Sequence, residues 1–319
     1  VTSTIDQHQI AALIKQKAKE LGFDLVGITS AQKSRHESFL RDWLAAGRAG
    51  EMHYLHDRAD ERIEPRKYFL HAQSAVCVAI NYHVPLPEEQ PLQHPARFAR
   101  YSLGNDYHKH VKDRLHDLAD FIRELVPGTR TRSSVDTAPV LERELAARAG
   151  IGWVGKNTCV INTDIGSWIF LGEVLTSLDL PHDEPGVDRC GTCTRCIDAC
   201  PTQAIIEPYQ LDASRCISYL TIEYRGDIAP ELAEKTGDWV FGCDICQDVC
   251  PWNRKAPFSI LEDVQPVRPA RVEASEILNW TQDDYWAVTR KASTRRVKLP
   301  QFQRNARMAI GNASRTDRG

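Results

Sequence analysis

Several things are missing from this chain of 319 residues, and each absence narrows what it can be. No apolar run approaches the ~18 residues that a membrane-spanning helix needs. The first residues, Val1-Thr-Ser-Thr-Ile-Asp6, hold neither a basic segment nor an apolar core. No signal peptide is expected there, and the chain is read as cytoplasmic, without a membrane partner. The pattern G-x4-G-K-[ST] does not occur, which excludes a phosphate-binding P-loop. Asp106 and His108 would begin a cobalt-ligating D-x-H-x-x-G, but Val111 stands at its glycine. Net charge is only −3, so no overall field draws in nucleic acid. There is no low-complexity segment, and no internal repeat beyond a duplicated cysteine half-motif. Hydrophobic content, 42%, is ordinary for a globular protein that buries a core, and the length suits about two domains.

Cysteine, by contrast, is plentiful. Ten cysteines in a chain with no export signal argue for metal ligation in a reducing compartment rather than for disulfides. Cys190, Cys193, Cys196 and Cys200-Pro201 form a C-x2-C-x2-C-x3-C-P run, the iron–sulfur ligand pattern of bacterial ferredoxins. After a lone Cys216, Cys243, Cys246 and Cys250-Pro251 repeat its second half. Zinc sites are usually built from paired C-x2-C knuckles, and a third cysteine followed by Cys-Pro fits them poorly. Short spacings let three sulfurs of one loop grip one face of a cube. The fourth cysteine heads a helix that points away and ligates the other cube. That pattern assigns Cys190, Cys193, Cys196 and Cys250 to one four-iron cluster, and Cys200, Cys216, Cys243 and Cys246 to a second.

The rest of the sequence reads as α/β. Ile10, Leu13, Ile14, Lys17, Ala18 and Leu21 keep helical spacing over residues 6–21, and Gly22 is a natural stop. Residues 23–28 read as a strand, 34–47 as a helix closed by Gly47, and 52–55 as the start of another. Residues 74–82 are the clearest buried strand, with Cys77 as plain core. A proline-rich loop over 85–95 precedes a long polar helix at 105–125, whose inner face carries Val111, Leu115, Leu118, Ile122 and Leu125. Residues 132–138 are expected as a strand, with Pro139 opening a helix that runs to Ala149. Residues 159–162 and 167–175 are expected to pair as a hairpin, with Cys159 in the core. The expected organisation is an α/β domain over 1–184, an inserted ferredoxin-like module over 185–255 and a short helical, basic region over 256–319.

Three further patterns carry chemistry. Asp136, in Ser134-Val-Asp-Thr-Ala-Pro139, ends a strand beneath a helix start, where α/β folds place functional groups; it could equally be a carboxylate satisfied by helix N-terminal amides. Ile151-Gly-Trp-Val-Gly-Lys-Asn-Thr158 can bring backbone amides and Lys156 to an anionic or amide-rich ligand, or simply connect a hairpin. His108 and His110 read as surface or substrate-side residues. Residues 288–319 hold nine Lys/Arg and one acid, Asp317, which suits phosphate contacts as well as a solvated face.

Taken together, Gly-Asn-Asp-Tyr-His108, Val135-Asp-Thr-Ala-Pro139, Arg148-Ala-Gly-Ile-Gly-Trp-Val-Gly-Lys-Asn157, Gly166-Ser-Trp-Ile-Phe-Leu-Gly-Glu173, both cysteine groups and Arg304-Asn-Ala-Arg-Met-Ala-Ile-Gly-Asn312 resemble the epoxyqueuosine reductases over nearly the whole chain. The resemblance implies an α/β domain that binds base-off cobalamin against a two-cluster ferredoxin-like module. The substrate it implies is a tRNA carrying epoxyqueuosine at the wobble position, reduced to queuosine with electrons from an external donor. Asp136 matches the family's proton donor, also lying against the cofactor. Arg62, Asn157, Val160, Leu171, Ser218, Cys243 and Asp244 match positions near the cobalamin. Arg225 matches a position near tRNA, and Arg295, Arg296 and Lys298 are the tail cations expected to touch it. Longer members continue into helical repeats that embrace the tRNA, whereas this sequence stops at Gly319. A monomer is expected. Two alternatives share parts of this plan: a cobalamin-dependent reductive dehalogenase, and a plain two-cluster electron carrier.

Overall fold

Ser74–Asn81 is buried at every position, as eight residues without a charged side chain require of a central strand. The structure, a computed structural model, describes residues 6–86 and 91–316; part of the expected proline-rich loop, 87–90, lies outside the described residues. Ser74–Asn81 belongs to a four-stranded sheet in the order Leu25–Ser30, Ser74–Asn81, Ile169–Thr176, Thr131–Ser134. Alternating side chains decide what packs on each face. Val76, Val78 and Ile80 meet the helices Gln7–Glu20 and Tyr107–Leu125 through Ile14, Ala18, Leu115, Leu118 and Ile122. Ala75, Cys77 and Ala79 face the other way, against Val140, Leu145, Ala146 and Ala149. Small residues on that face let the helix Glu142–Arg148 come close. A Cβ placed on Gly27 would stand 1.9 Å from the Ala149 carbonyl oxygen.

Every pairing in this sheet is antiparallel. Helices and strands are mixed as expected, but the carboxyl-edge rule for parallel sheets does not explain the position of Asp136. The strand before it also stops early, at Ser134, and the following helix starts at Glu142 instead of Pro139. The expected hairpin of 159–162 with 167–175 does not form beyond a single Asn162–Gly166 bridge. Ile169–Thr176 already has a neighbour on each edge, so Val160–Ile161 pairs instead with Trp153–Val154.

A second sheet joins distant parts of the chain. Trp239–Phe241 runs parallel to Pro95–Phe98, which pairs antiparallel with Arg271–Glu273. Each of the three expected segments thus gives one strand. Phe98, Phe241 and Phe302 meet in the core beneath, which also takes residues from the helices Ala274–Asn279 and Leu299–Thr316. Asn305, fully buried, donates to the carbonyls of Thr221 and Val240 at 2.9 Å each, tying the last helix to the cysteine-rich segment. Among the described residues no helix is long and apolar enough to cross a membrane.

Candidate active site

Beyond Ser134 the chain turns sharply, and Asp136 takes a left-handed backbone conformation with φ 51°. Residues other than glycine seldom adopt it, although Asp tolerates it better than most. Two hydrogen bonds support the turn: Thr137 N–H donates to the Val135 carbonyl at 2.6 Å, and Asp136 N–H donates to the Glu142 carboxyl. The Asp136 side chain, 52% exposed, lies against His108, with Oδ2 2.9 Å from Nε2. On the far side of the ring Nδ1 is 2.7 Å from Asp106 Oδ1. Asp106 is in turn fixed as the N-cap of Tyr107–Leu125, accepting the His108 N–H.

An imidazole held between two carboxyl groups is not an ordinary one. Burial by itself would lower its pKa, but the hydrogen bonds to Asp106 and Asp136 outweigh that and lift it to about 9. At neutral pH His108 therefore carries a proton and directs it at Asp136. The ring stacks on Tyr107 at 4.1 Å, and Tyr107 stacks on Phe170 at 4.1 Å. His108 is thus partly exposed, as a surface or substrate-side residue would be, and its pairing with Asp136 is what that reading did not include. The available signal was Asp106, an N-cap residue two positions ahead of a histidine.

The cysteines gather in two groups. Cys196 feels the charges of Cys190 and Cys250, and Cys250 those of Cys190 and Cys193. Cys243 feels Cys216 and Cys200, and Cys246 feels Cys243 and Cys216. Among the described residues no three His, Cys, Asp or Glu side chains converge on a site for a single ion. Donors aim at the sulfurs: Trp153 Nε1–H is 3.4 Å from Cys190 Sγ and Ala204 N–H is 3.3 Å from Cys200 Sγ. Such N–H···S contacts tune iron–sulfur clusters.

The glycine-rich stretch is the turn between Trp153–Val154 and Val160–Ile161. Its Lys156 side chain turns toward the cysteine-rich segment. It is buried and donates to the carbonyls of Gly191 and Cys193, at 2.6 and 3.0 Å, clamping the first thiol loop. Asn157 Nδ2 approaches the Cys246 carbonyl at 3.4 Å. Cys159 is partly exposed and within hydrogen-bonding reach of Cys246, so it borders the second thiol group and is not core. The neighbouring Val160 is buried, and Leu171 packs partly buried against the same cluster of side chains.

Arg62 is buried, and its Nη1 has no hydrogen-bond partner among the described residues. Nearby, the Tyr54 hydroxyl feels Glu223, Arg296, Asp136 and Arg62. Tyr101 feels Asp136, Asp244, Glu223 and Arg296. Asp136 and Arg62, Glu223 and Asp244 of the cysteine-rich segment, and Arg296 of the C-terminal region thus share one electrostatic neighbourhood around Tyr54 and Tyr101. From the cysteine side Asp244 accepts the Arg100 N–H at 2.8 Å, and its burial pushes its carboxyl up to about 7. Ser218 lies in the helix Ile217–Ile222, directly after Cys216, and Cys243 precedes Asp244. The tail cations are unequal. Arg296 grips Glu223 through two hydrogen bonds of 3.0 and 2.7 Å, and Arg225 donates to Gln301. Arg304 binds the carbonyls of Leu220 and Tyr224. Arg295 and Lys298 are exposed.

Paired thiol quartets beside an acid–imidazole site define an iron–sulfur oxidoreductase. Residues 189–253 match the family described as a 4Fe-4S double cluster binding domain, and residues 62–137 match the one described as epoxyqueuosine reductase QueG. The epoxyqueuosine reductase of Gloeobacter violaceus is 42% identical over 309 residues, covering 94% of this chain and 96% of that protein. A solved epoxyqueuosine reductase with a tRNA-Tyr epoxyqueuosine-modified stem loop superposes with a TM-score of 0.89 at 31% identity, over 97% of this chain and 82% of the other. The Bacillus subtilis epoxyqueuosine reductase, solved with its catalytic aspartate loop swung out of the active site, gives 0.90 at 30% identity, over 98% and 84%. The chain belongs to the epoxyqueuosine reductase family.

Proposed function

We propose that the protein reduces epoxyqueuosine in tRNA to queuosine, with Asp136 and His108 supplying a proton to the departing oxygen. The observation that carries the reading is the Asp136–His108 contact at 2.9 Å, set in a chain 42% identical to an epoxyqueuosine reductase over nearly its full length. Neither the dehalogenase nor the electron-carrier alternative accounts for that identity.

The residues fit the cofactors this family implies. Cys190, Cys193, Cys196 and Cys250 would hold one four-iron cluster and Cys200, Cys216, Cys243 and Cys246 the other. The buried, unpartnered Nη1 of Arg62 suits a polar group of a cobalamin. Asn157, Val160, Leu171, Ser218, Cys243 and Asp244 would line the remaining walls, together with Asp136. When bound, the clusters would supply single electrons and the cobalamin a reduced metal centre.

The chain's own residues manage the protons. Opening an epoxide to an alkene consumes two electrons and two protons and releases water. The resting proton sits on His108. Substrate that covers the half-exposed Asp136 would exclude water from its contact with His108. Asp136 then delivers the proton to the departing oxygen as a general acid. The relative with its aspartate loop swung out supports a loop that moves onto and off the site. The relative with a tRNA stem loop supports tRNA as the partner, which would place the work in the cytoplasm. Arg295 and Lys298 are the tail cations best placed for its phosphates; Arg225 and Arg296 would first have to exchange their partners within the chain. Asp136, His108, Arg62 and both thiol quartets come from one chain, which supports a monomer.

The test is nucleoside analysis of epoxyqueuosine-containing tRNA after anaerobic incubation with reconstituted protein, reductant and cobalamin. Queuosine should form, and should not form when cobalamin is left out. Unchanged epoxyqueuosine in a preparation that holds about eight irons and cobalamin would contradict the reading.

A further inference from the structure

We propose that Glu142 is a positioning residue, the latch that keeps the Asp136 loop turned toward His108. This rests on the reading of Asp136 as proton donor. The loop leaves the sheet at Ser134 and rejoins regular structure only at Glu142. Within it Asp136 keeps an unfavourable left-handed backbone, so something must hold it there. The Asp136 N–H donates to the Glu142 carboxyl. Glu142 is a firm anchor because it opens a helix whose Leu145, Ala146 and Ala149 are packed against the sheet. A single hydrogen bond is also weak enough to release, as a loop that swings requires.

A glutamate beneath an aspartate would ordinarily repel it, and the layer below resolves this. Glu173 is fully buried in Ile169–Thr176, opposite Ser134 in register. Both its carboxyl oxygens, and the Ser134 hydroxyl, lack a hydrogen-bond partner among the described residues. Glu173 is raised well above the ordinary carboxyl range by burial and then by Glu142. Burial, then the charge of Asp136, pushes Glu142 up to about 8, against the lowering pull of the Asp136 amide, Arg143 and His108; Arg62 also lies within its field. Two such acids do not both ionise near neutral pH. Glu142 accepts the amide through a carboxyl oxygen in either state, and to the extent that it holds a proton it adds no negative charge under Asp136.

Hydrogen exchange on reconstituted protein tests the latch without needing turnover. In the wild-type protein the Asp136 amide should be protected. Glu142→Ala should speed its exchange by about tenfold or more and slow single-turnover queuosine formation by roughly 10–100-fold, with tRNA affinity and iron content unchanged. Glu142→Gln keeps the acceptor and should restore protection and turnover to within about threefold of wild type. An unprotected Asp136 amide in the wild-type protein overturns the latch, and so does an alanine variant with unchanged exchange or unchanged turnover. A glutamine variant as impaired as alanine overturns it too, since charge and not acceptor geometry would then matter. Should the alanine variant not fold, the wild-type amide and the glutamine variant still decide. Loss of the proton-donor reading would show instead as an Asp136→Asn variant that turns over normally while the exchange pattern stands.

Discussion

His108 acquires two carboxyl partners on folding, and a pH dependence with a definite sign follows. Its pKa rises from an ordinary 6.5 to about 9. The stabilisation is therefore fully present below pH 6.5 and is lost as pH rises through about 9. His108→Ala should be less stable than wild type at pH 6, by on the order of 1 kcal/mol once screening at a partly exposed pair is allowed for. The difference should narrow above pH 9, leaving the pH-independent loss of the ring's stacking on Tyr107. Denaturation midpoints of both proteins at the two pH values check this, and a gap that does not change with pH would show that the imidazole makes no net ion pair. The motif around Asp136 singled that residue out in the sequence. Its partnership was not legible, because 28 residues separate it from His108 and only the folded sheet and helix bring them together. The cysteine spacing was legible because three ligands of a quartet come from one loop. Of the two readings of the glycine-rich stretch, the hairpin connection is the one that forms; where Lys156 reaches was not legible, because a long flexible side chain has no direction that sequence can supply.

Elements were legible where burial imposes a period. The central strand and the helices Gln7–Glu20 and Tyr107–Leu125 follow from their apolar spacing to within two residues. Strand direction was not, because an apolar run reads the same in parallel and antiparallel pairing. The misassigned hairpin has the same origin, since which edges of Ile169–Thr176 are free depends on strands far away in sequence. Close approach between elements is equally hidden, and Gly27 shows it. A methyl group there meets the Ala149 carbonyl oxygen, so Gly27→Ala must push the helix Glu142–Arg148 off the sheet. The expected cost is about 1–3 kcal/mol, read as a lower denaturation midpoint. Because that helix carries Glu142, turnover should fall as well. A variant as stable and active as wild type would mean that the helix has room to move.

At the scale of the whole molecule, the shared second sheet and Asn305 bind the C-terminal region to the cysteine-rich segment, so its cations are held on the folded body instead of trailing from it. Arg295→Glu with Lys298→Glu should weaken tRNA binding and lower the slope of log affinity against log salt by up to about 1.5, while cobalamin binding stays unchanged. An unaltered salt slope would make these residues a solvated face. The account as a whole stands on proton delivery by Asp136 in a queuosine-forming enzyme, and one comparison tests it directly: single-turnover queuosine formation by wild type and Asp136→Asn, with iron and cobalamin content measured on the same preparations. The variant should assemble its clusters and bind cobalamin normally, yet form queuosine about 10²–10⁴-fold more slowly. Queuosine formed at the wild-type rate by a fully loaded Asp136→Asn protein would contradict the account.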